Sequence, residues 1–219
     1  MRSLPSKTED PVVWGIVNQA ELLRDVLSYA LKQEDAGKLA SSLIEKFGSL
    51  PDALSASVLR LKEVDGVTDE LAAQLKTIKK IAVGMARHRI KPDRPVLSTH
   101  FEVRDYLHVT MAFEDVEQTR ILFMDTRQRL IADETLYRGT INHTALYPRE
   151  VVRRALDLSA SSMLVAHNHP SGDPSPSASD VAQTRELVQA AAVFGIRVHD
   201  HIIVGRSGQI SLSALKLLG

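Results

Sequence analysis

The stretch Ala166–Asp180, AHNHPSGDPSPSASD, separates an apolar run (Met163–Val165) from a long segment with helical spacing. A connection between a strand and a helix needs turn formers, and Gly172, Pro170, Pro174 and Pro176 supply them. It does not need two histidines and a helix-start aspartate. His167 and His169 alternate on an extended strand end, so both imidazoles leave the same side. Two neutral imidazoles facing one point suit a metal ion. A third ligand from elsewhere would leave one position for water. Asp180 is the candidate for that ligand, because the loop reverses the chain and the next helix returns its first turn to the same point. Ser177 and Asp180 also have capping-box spacing, with Ser177 as N-cap and the acid at the third helical position.

The 219 residues are enough for one large domain or two small ones. Lysine plus arginine balances aspartate plus glutamate at 27 each, so no global field draws the chain to nucleic acid or a membrane. No apolar stretch has the length of a membrane span, and MRSLPSKTEDPVVW lacks the apolar region of a signal peptide. The absence of cysteine excludes disulfides, thiolate metal sites and thiol nucleophiles together. Cytoplasm is the expected compartment, with no membrane association.

Patterning divides the chain into a polar tail (1–13), a small all-α domain (14–90) and an α/β domain (97–219), with RIKPDRP (89–95) as linker. In the first domain Leu22, Leu23, Val26, Leu27 and Ala30 form one stripe, Leu39, Leu43 and Ile44 another, and Leu71, Leu75, Ile78 and Ile81 a third. Thr68 is placed to cap the last of these helices. In the second domain, strands are expected over Thr119–Met124, Leu130–Tyr137 and Met163–Ala166, with alternation over Ile196–Val204. Helices are expected from Pro148 and over Ala178–Phe194, the latter burying Val181, Val188 and Ala192, and a short apolar helix closes the chain.

Other zinc signatures fail against the sequence. There is no H-E-x-x-H, no P-C-x-x-C, and Ser171 and Gly172 stand where a metallo-β-lactamase pattern needs Asp and His. The α/β part is too short for an amidohydrolase barrel. The spacing His167-x-His169, seven residues, Ser177, two residues, Asp180 resembles the JAMM (MPN+) metalloprotease motif. HNHPSGDPSPSASD resembles its bacterial RadC-like branch, as do LFMDTRQRLIADETLYRGT (122–140), YPREVVRRALDLSASSMLVAHNHP (147–170) and VHDHIIVG (198–205).

That resemblance implies the JAB/MPN (cytidine-deaminase-like) fold, an α/β architecture with a curved mixed sheet flanked by helices. It also implies one Zn²⁺ held by His167, His169, Asp180 and water, and hydrolysis of a protein or peptide substrate. Glu117, just before TRILFM, matches the family's general base, with Glu134 and Glu150 as competitors. Ser177 would support the oxyanion as well as cap the helix. Asp173 suits either the motif or turn chemistry. His199 and His201 suit a structural role or support of the metal ligands. His143 has no assigned role, and Arg138, Gly139 and Thr140 match the family string without an assigned chemistry.

Residues 61–90 have the outline of a degenerate helix-hairpin-helix around Val64-Asp65-Gly66-Val67-Thr68. Such hairpins hold DNA phosphates at a helix N-terminus, but Asp65 and Asp69 put negative charge there. Lys76, Lys79, Lys80, Arg87 and Arg89 form a local basic strip for DNA contact. A DNA-associated protein of repair or recombination, with a structural or vestigial metal, is therefore the alternative to a hydrolase.

Overall fold

A computed structural model describes residues 18–98, 100–138 and 146–218. The polar tail, Gly139, Thr140 and His143 lie outside the described residues. Five helices come first: α1 (Gln19–Leu27), α2 (Gln33–Phe47), α3 (Leu50–Ser55), α4 (Val58–Leu61) and α5 (Asp69–Arg89). A short 3₁₀ turn, Val96–Ser98, and helix α6 (His100–Met111) lead into strand β1 (Gln118–Met124). The remaining elements are β2 (Leu130–Arg138), α7 (Pro148–Asp157), β3 (Ser162–Asn168), α8 (Ala178–Val193), β4 (Arg197–Gly205) and β5 (Gly208–Ser211).

The strands form one mixed sheet in the order β2-β1-β3-β4-β5. β1 is antiparallel to both β2 and β3, β3 and β4 run parallel around the α8 crossover, and β5 returns antiparallel to β4. Alternation assigns the two faces. Leu122, Met124, Leu164, Ala166, Ile202 and Val204 pack with α6 and the end of α5. Ile121, Phe123, Met163, Val165 and Val198 pack with α7 and α8. This is the helix-flanked mixed sheet that the resemblance implies.

Leu23, Leu27, Leu39, Leu43, Leu71 and Leu75 form a separate core among α1–α5. Leu22 and Ile81, assigned to its stripes by spacing, are exposed instead. α5 spans about 31 Å with its 21 residues. Its first half belongs to the helical core, whereas Ala86 belongs to the sheet core. The linker expected at 89–95 therefore lies within continuous packing, since Ile90 and Val96 are buried in the sheet core.

Three further details differ from the sequence pattern. Nothing in that pattern was assigned to 100–111, where α6 buries Val103, Tyr106, Leu107, Thr110 and Met111. α8 buries Thr184, Leu187 and Ala191, not the Val181/Val188/Ala192 stripe, and Ala192 is exposed. The chain closes with β5 and turns, because β4 offers its edge and Asp200 accepts from Ser211 Oγ (2.6 Å) and Ser213 N (3.0 Å).

The basic strip is largely engaged in tertiary structure. Lys76 Nζ donates to the carbonyls of Leu54, Ser55 and Ala56 at 2.8–2.9 Å, closing the C-terminus of α3. Lys79 Nζ donates to Ser55 Oγ (2.9 Å) and the Val109 carbonyl (2.7 Å), tying α3 to α6. Arg89 pairs with Asp105 (2.8 Å), and Arg87 lies 3.4 Å from Asp133. At the hairpin, Gly66 takes φ +90°, which favours glycine, and Thr68 caps α5. Asp69 there pairs with Lys62 at 2.8 Å.

Lys76→Met leaves three carbonyls at the end of α3 without their donor. Urea denaturation should show a loss of about 2 kcal/mol, and an unchanged midpoint would contradict the capping role.

Candidate metal centre

The site begins at the C-terminal end of β3. His167 is its penultimate residue and faces the α7/α8 side, while Asn168 faces the other way. Asn168 is fully buried and holds the segment entering β1: its Oδ1 accepts from Gln118 N (2.9 Å) and its Nδ2 donates to the Val116 carbonyl (3.2 Å). The loop after His169 rests on the β4–β5 turn. His169 N donates to the Val204 carbonyl (2.9 Å), and Ser207 donates through N and Oγ to the Gly172 carbonyl at 3.2 and 3.0 Å. A Cβ at Gly205 would sit 2.3 Å from that carbonyl, so only glycine fits. Arg206 adds a clamp, donating to the Pro170 carbonyl (2.6 Å) and pairing with Asp52 of α3 (2.8 Å).

The helix start completes the triad. Ser177 caps α8 and forms the full capping box with Asp180. Asp180 Oδ2 accepts from Ser177 N and Ser177 Oγ, both at 2.7 Å. Oδ1 lies 3.4 Å from His167 Nε2, and Oδ2 lies 3.5 Å from His169 Nε2. The two Nε2 atoms are 2.9 Å apart. A tetrahedral site with nitrogen ligands near 2.0–2.1 Å holds its donors about 3.3 Å apart. The three separations bracket that value, so the donor set fits one small divalent ion. Among the described residues, His167, His169 and Asp180 are the only such cluster.

The remaining ring nitrogens decide whether Nε2 is free to ligate. His169 Nδ1 lies 2.8 Å from the Asp173 carbonyl, an obligate acceptor, so Nδ1 carries the proton and Nε2 the lone pair. For His167 the answer comes through a chain. Its Nδ1 lies 2.7 Å from His201 Nε2, and His201 Nδ1 lies 2.6 Å from Thr184 Oγ1. Thr184 Oγ1 donates to the Asp180 carbonyl at 2.5 Å. That hydroxyl must therefore accept from His201 Nδ1–H, His201 Nε2 must accept from His167 Nδ1–H, and His167 Nε2 is left unprotonated. The polarity of the chain is fixed from its far end.

Electrostatics agree. His201 is held well below its ordinary range by burial first and then by the neighbouring His167, so it stays neutral. Burial alone would push the Asp180 carboxyl up, but in the metal-free site a proton on either imidazole would face it, and together with Ser177 this holds it well below the carboxylate range. Protonating His169 at Nε2 would give it a hydrogen bond to Asp180, which raises its titration against burial, with the Asp173 carbonyl and the charges of Asp180 and Glu117 adding to the rise.

Glu117 immediately precedes β1 and is buried. Thr119, two residues on, pairs with His167, and the Glu117 charge reaches His169. Its competitors are committed elsewhere. Glu134 forms a two-pronged pair with Arg154 at 2.6 and 2.8 Å, and Glu150 pairs with Arg153 at 2.7 Å. Ser177 Oγ spends its proton on Asp180, and oxyanion support would draw on the same donor. Asp173 Oδ1 caps its own turn through Ser175 N (2.9 Å) and Oγ (2.7 Å). His199 is apart from the triad, lining a 620 Å³ cleft with Arg197 and Lys216. Thr184 was not foreseen, although it lies four residues after Asp180 on one helix face.

Two comparisons bear on the site. A sequence model of RadC-like JAB domains matches residues 97–217. The chain is also 44% identical over 198 residues to a "UPF0758 protein" of Rhodobacter capsulatus, covering 90% of this chain and 92% of that one. Among the described residues no helix is long and apolar enough to cross a membrane.

Thr184→Val keeps the shape but removes the acceptor for His201 Nδ1–H. Chelator competition should show metal affinity about tenfold lower, with Thr184→Ser restoring it; an unaltered Thr184→Val would contradict the chain. A protonated imidazole cannot ligate, and His169 is raised above its ordinary 6.5. Metal affinity should therefore begin to fall, as pH is lowered, from above pH 6.5. Affinity that holds steady to well below that pH would contradict the assignment.

Proposed function

The chain belongs to the RadC-like JAB domain family, and from that premise we propose that it is a zinc-dependent hydrolase of amide bonds, a peptidase or isopeptidase. The observation that carries this reading is the triad itself. It has three protein donors, two imidazoles and one carboxylate, beside a buried glutamate whose charge reaches one of them. Structural zinc sites close with four protein ligands, whereas catalytic ones keep a position for water or substrate. The N₂O donor set without thiolate suits zinc.

Zinc held there supplies Lewis-acid chemistry, acidifying water and polarising a carbonyl. The protein supplies the rest. His167 and His169 present unprotonated Nε2 atoms because their Nδ1 protons are committed to His201 and Asp173. Asp180 stays ionised, with Oδ2 engaged by the cap and facing His169, and Oδ1 turned to His167. Glu117 is the proton carrier: it takes a proton from the attacking water and delivers it to the leaving amine. Its position is set by Asn168, which pins the backbone on both sides of it.

In the DNA-associated alternative Lys76 and Lys79 would add little, since they donate to carbonyls of the fold, and Lys80, Arg87 and Arg89 would carry the contact.

Glu117→Gln keeps the side chain's size and removes the base. Amine release from a peptide library should fall by about 10²–10⁴-fold with zinc content unchanged. Cleavage that survives both Glu117→Gln and His167→Ala would remove the basis for the hydrolase.

A further inference from the structure

The opposite face of the sheet carries a second feature that the metal chemistry does not use. Between α5, α6 and the start of β1 lies a cleft of about 430 Å³, lined by Lys79, Lys80, Arg87, Thr110, Glu114, Gln118 and Arg120, with Val83 and Gly84. Arg120 alternates with Ile121, so it points to the α6 side, away from His167. Four cations and one carboxylate line the cleft, and Glu114 stands 3.9 Å from Lys79. Lys79 Nζ is already held by Ser55 Oγ and the Val109 carbonyl, so it contributes field more than a donor.

Two buried polar atoms in the lining have no partner among the described residues: Thr110 Oγ1 and Arg120 Nε. Thr110 is only 8% exposed, and burying a hydroxyl without a hydrogen bond costs free energy that native folds seldom leave uncompensated. Arg120 is fixed in place, because its Nη1 donates to Asp133 (2.6 Å) and Tyr106 Oη (2.8 Å), which leaves Nε and Nη2 as its other directed donors. A hydroxyl and a guanidinium N–H, both pre-positioned and unsatisfied in a cationic cleft, call for an acceptor that carries negative charge.

We propose that this cleft binds a phosphate group, free or at the end of a small phosphomonoester. Thr110 Oγ1 and Arg120 Nε donate from the floor, and Lys80 and Arg87 neutralise charge from the rim. The recessed donors select a small, terminal anion over a polymer backbone, because a phosphodiester flanked by sugars cannot reach the hydroxyl of a residue that is only 8% exposed. The site stands apart from the metal and from Glu117, so it holds or fails independently of the hydrolase reading.

The test is titration of the full chain with inorganic phosphate, with a nucleoside 5′-monophosphate and with duplex DNA, at constant ionic strength set by chloride. Thr110→Val and Lys80→Ala are compared with wild type. Inorganic phosphate or the monoester should bind and raise the melting temperature, and the tighter of the two identifies the source of the group. Thr110→Val should melt no lower than wild type without phosphate, because its hydroxyl has no partner to lose, yet bind phosphate about tenfold more weakly. Exposed Lys80→Ala should weaken binding about threefold. Equal shifts by phosphate and chloride would overturn the proposal. So would phosphate affinity untouched in both variants, or binding of duplex DNA in the absence of phosphate binding.

Discussion

The hydrogen bond from Thr184 Oγ1 to the Asp180 carbonyl is the constraint from which the site is built. A main-chain carbonyl can only accept, so it fixes the direction of every bond upstream, through His201 to His167. Without that anchor the two buried rings could share their protons in either sense, and half of those arrangements would put a proton on the nitrogen that faces Asp180. The anchor residue also belongs to the loop-helix junction that supplies the third ligand. The α8 N-terminus therefore provides a carboxylate through its side chain and a tautomer through its backbone.

Packing explains why this arrangement is stable. Thr184 can reach His201 only because α8 lies on β4 with its Thr184/Leu187/Ala191 face inward, against the same sheet face that carries Ile121, Phe123 and Val165. The apolar part of that contact offsets the cost of burying two polar rings. At the other end of the triad, the loop from His169 to Pro174 is held by contacts that leave no room for a side chain at Gly205. It is also tied by Arg206 to Asp52 in the helical region. The loop is therefore fixed from several elements, and β1 with the residue before it supplies Glu117 to this face and Arg120 to the opposite one.

The candidate triad was legible because its geometry is local. Alternation puts His167 and His169 on one side, and capping-box spacing brings Asp180 back within a single turn. The chain from His201 to Thr184 was half legible. The H-x-H of β4 was visible as His199 and His201, but nothing in the sequence distinguishes the one that reaches the site. The α8 face differs from the apolar Val181/Val188/Ala192 stripe because Thr184, which apolar spacing passes over, is held inward by His201 and the Asp180 carbonyl. α6 could have been found, since 103, 106, 107, 110 and 111 follow helical spacing, but charged neighbours masked the stripe. The lysines were illegible for a different reason: their acceptors lie 20 to 30 residues away in sequence, and only the fold brings them together.

The central claim is that two imidazoles and one carboxylate hold a metal and leave a coordination position for an exchangeable oxygen. X-ray absorption at the zinc edge of the purified, zinc-loaded chain tests it most directly. The account predicts one zinc per chain with two imidazole nitrogens and two oxygens, one of them displaced by added fluoride or a small carboxylate. A four-ligand protein shell that no added anion perturbs, or a chain that binds no zinc, would contradict it.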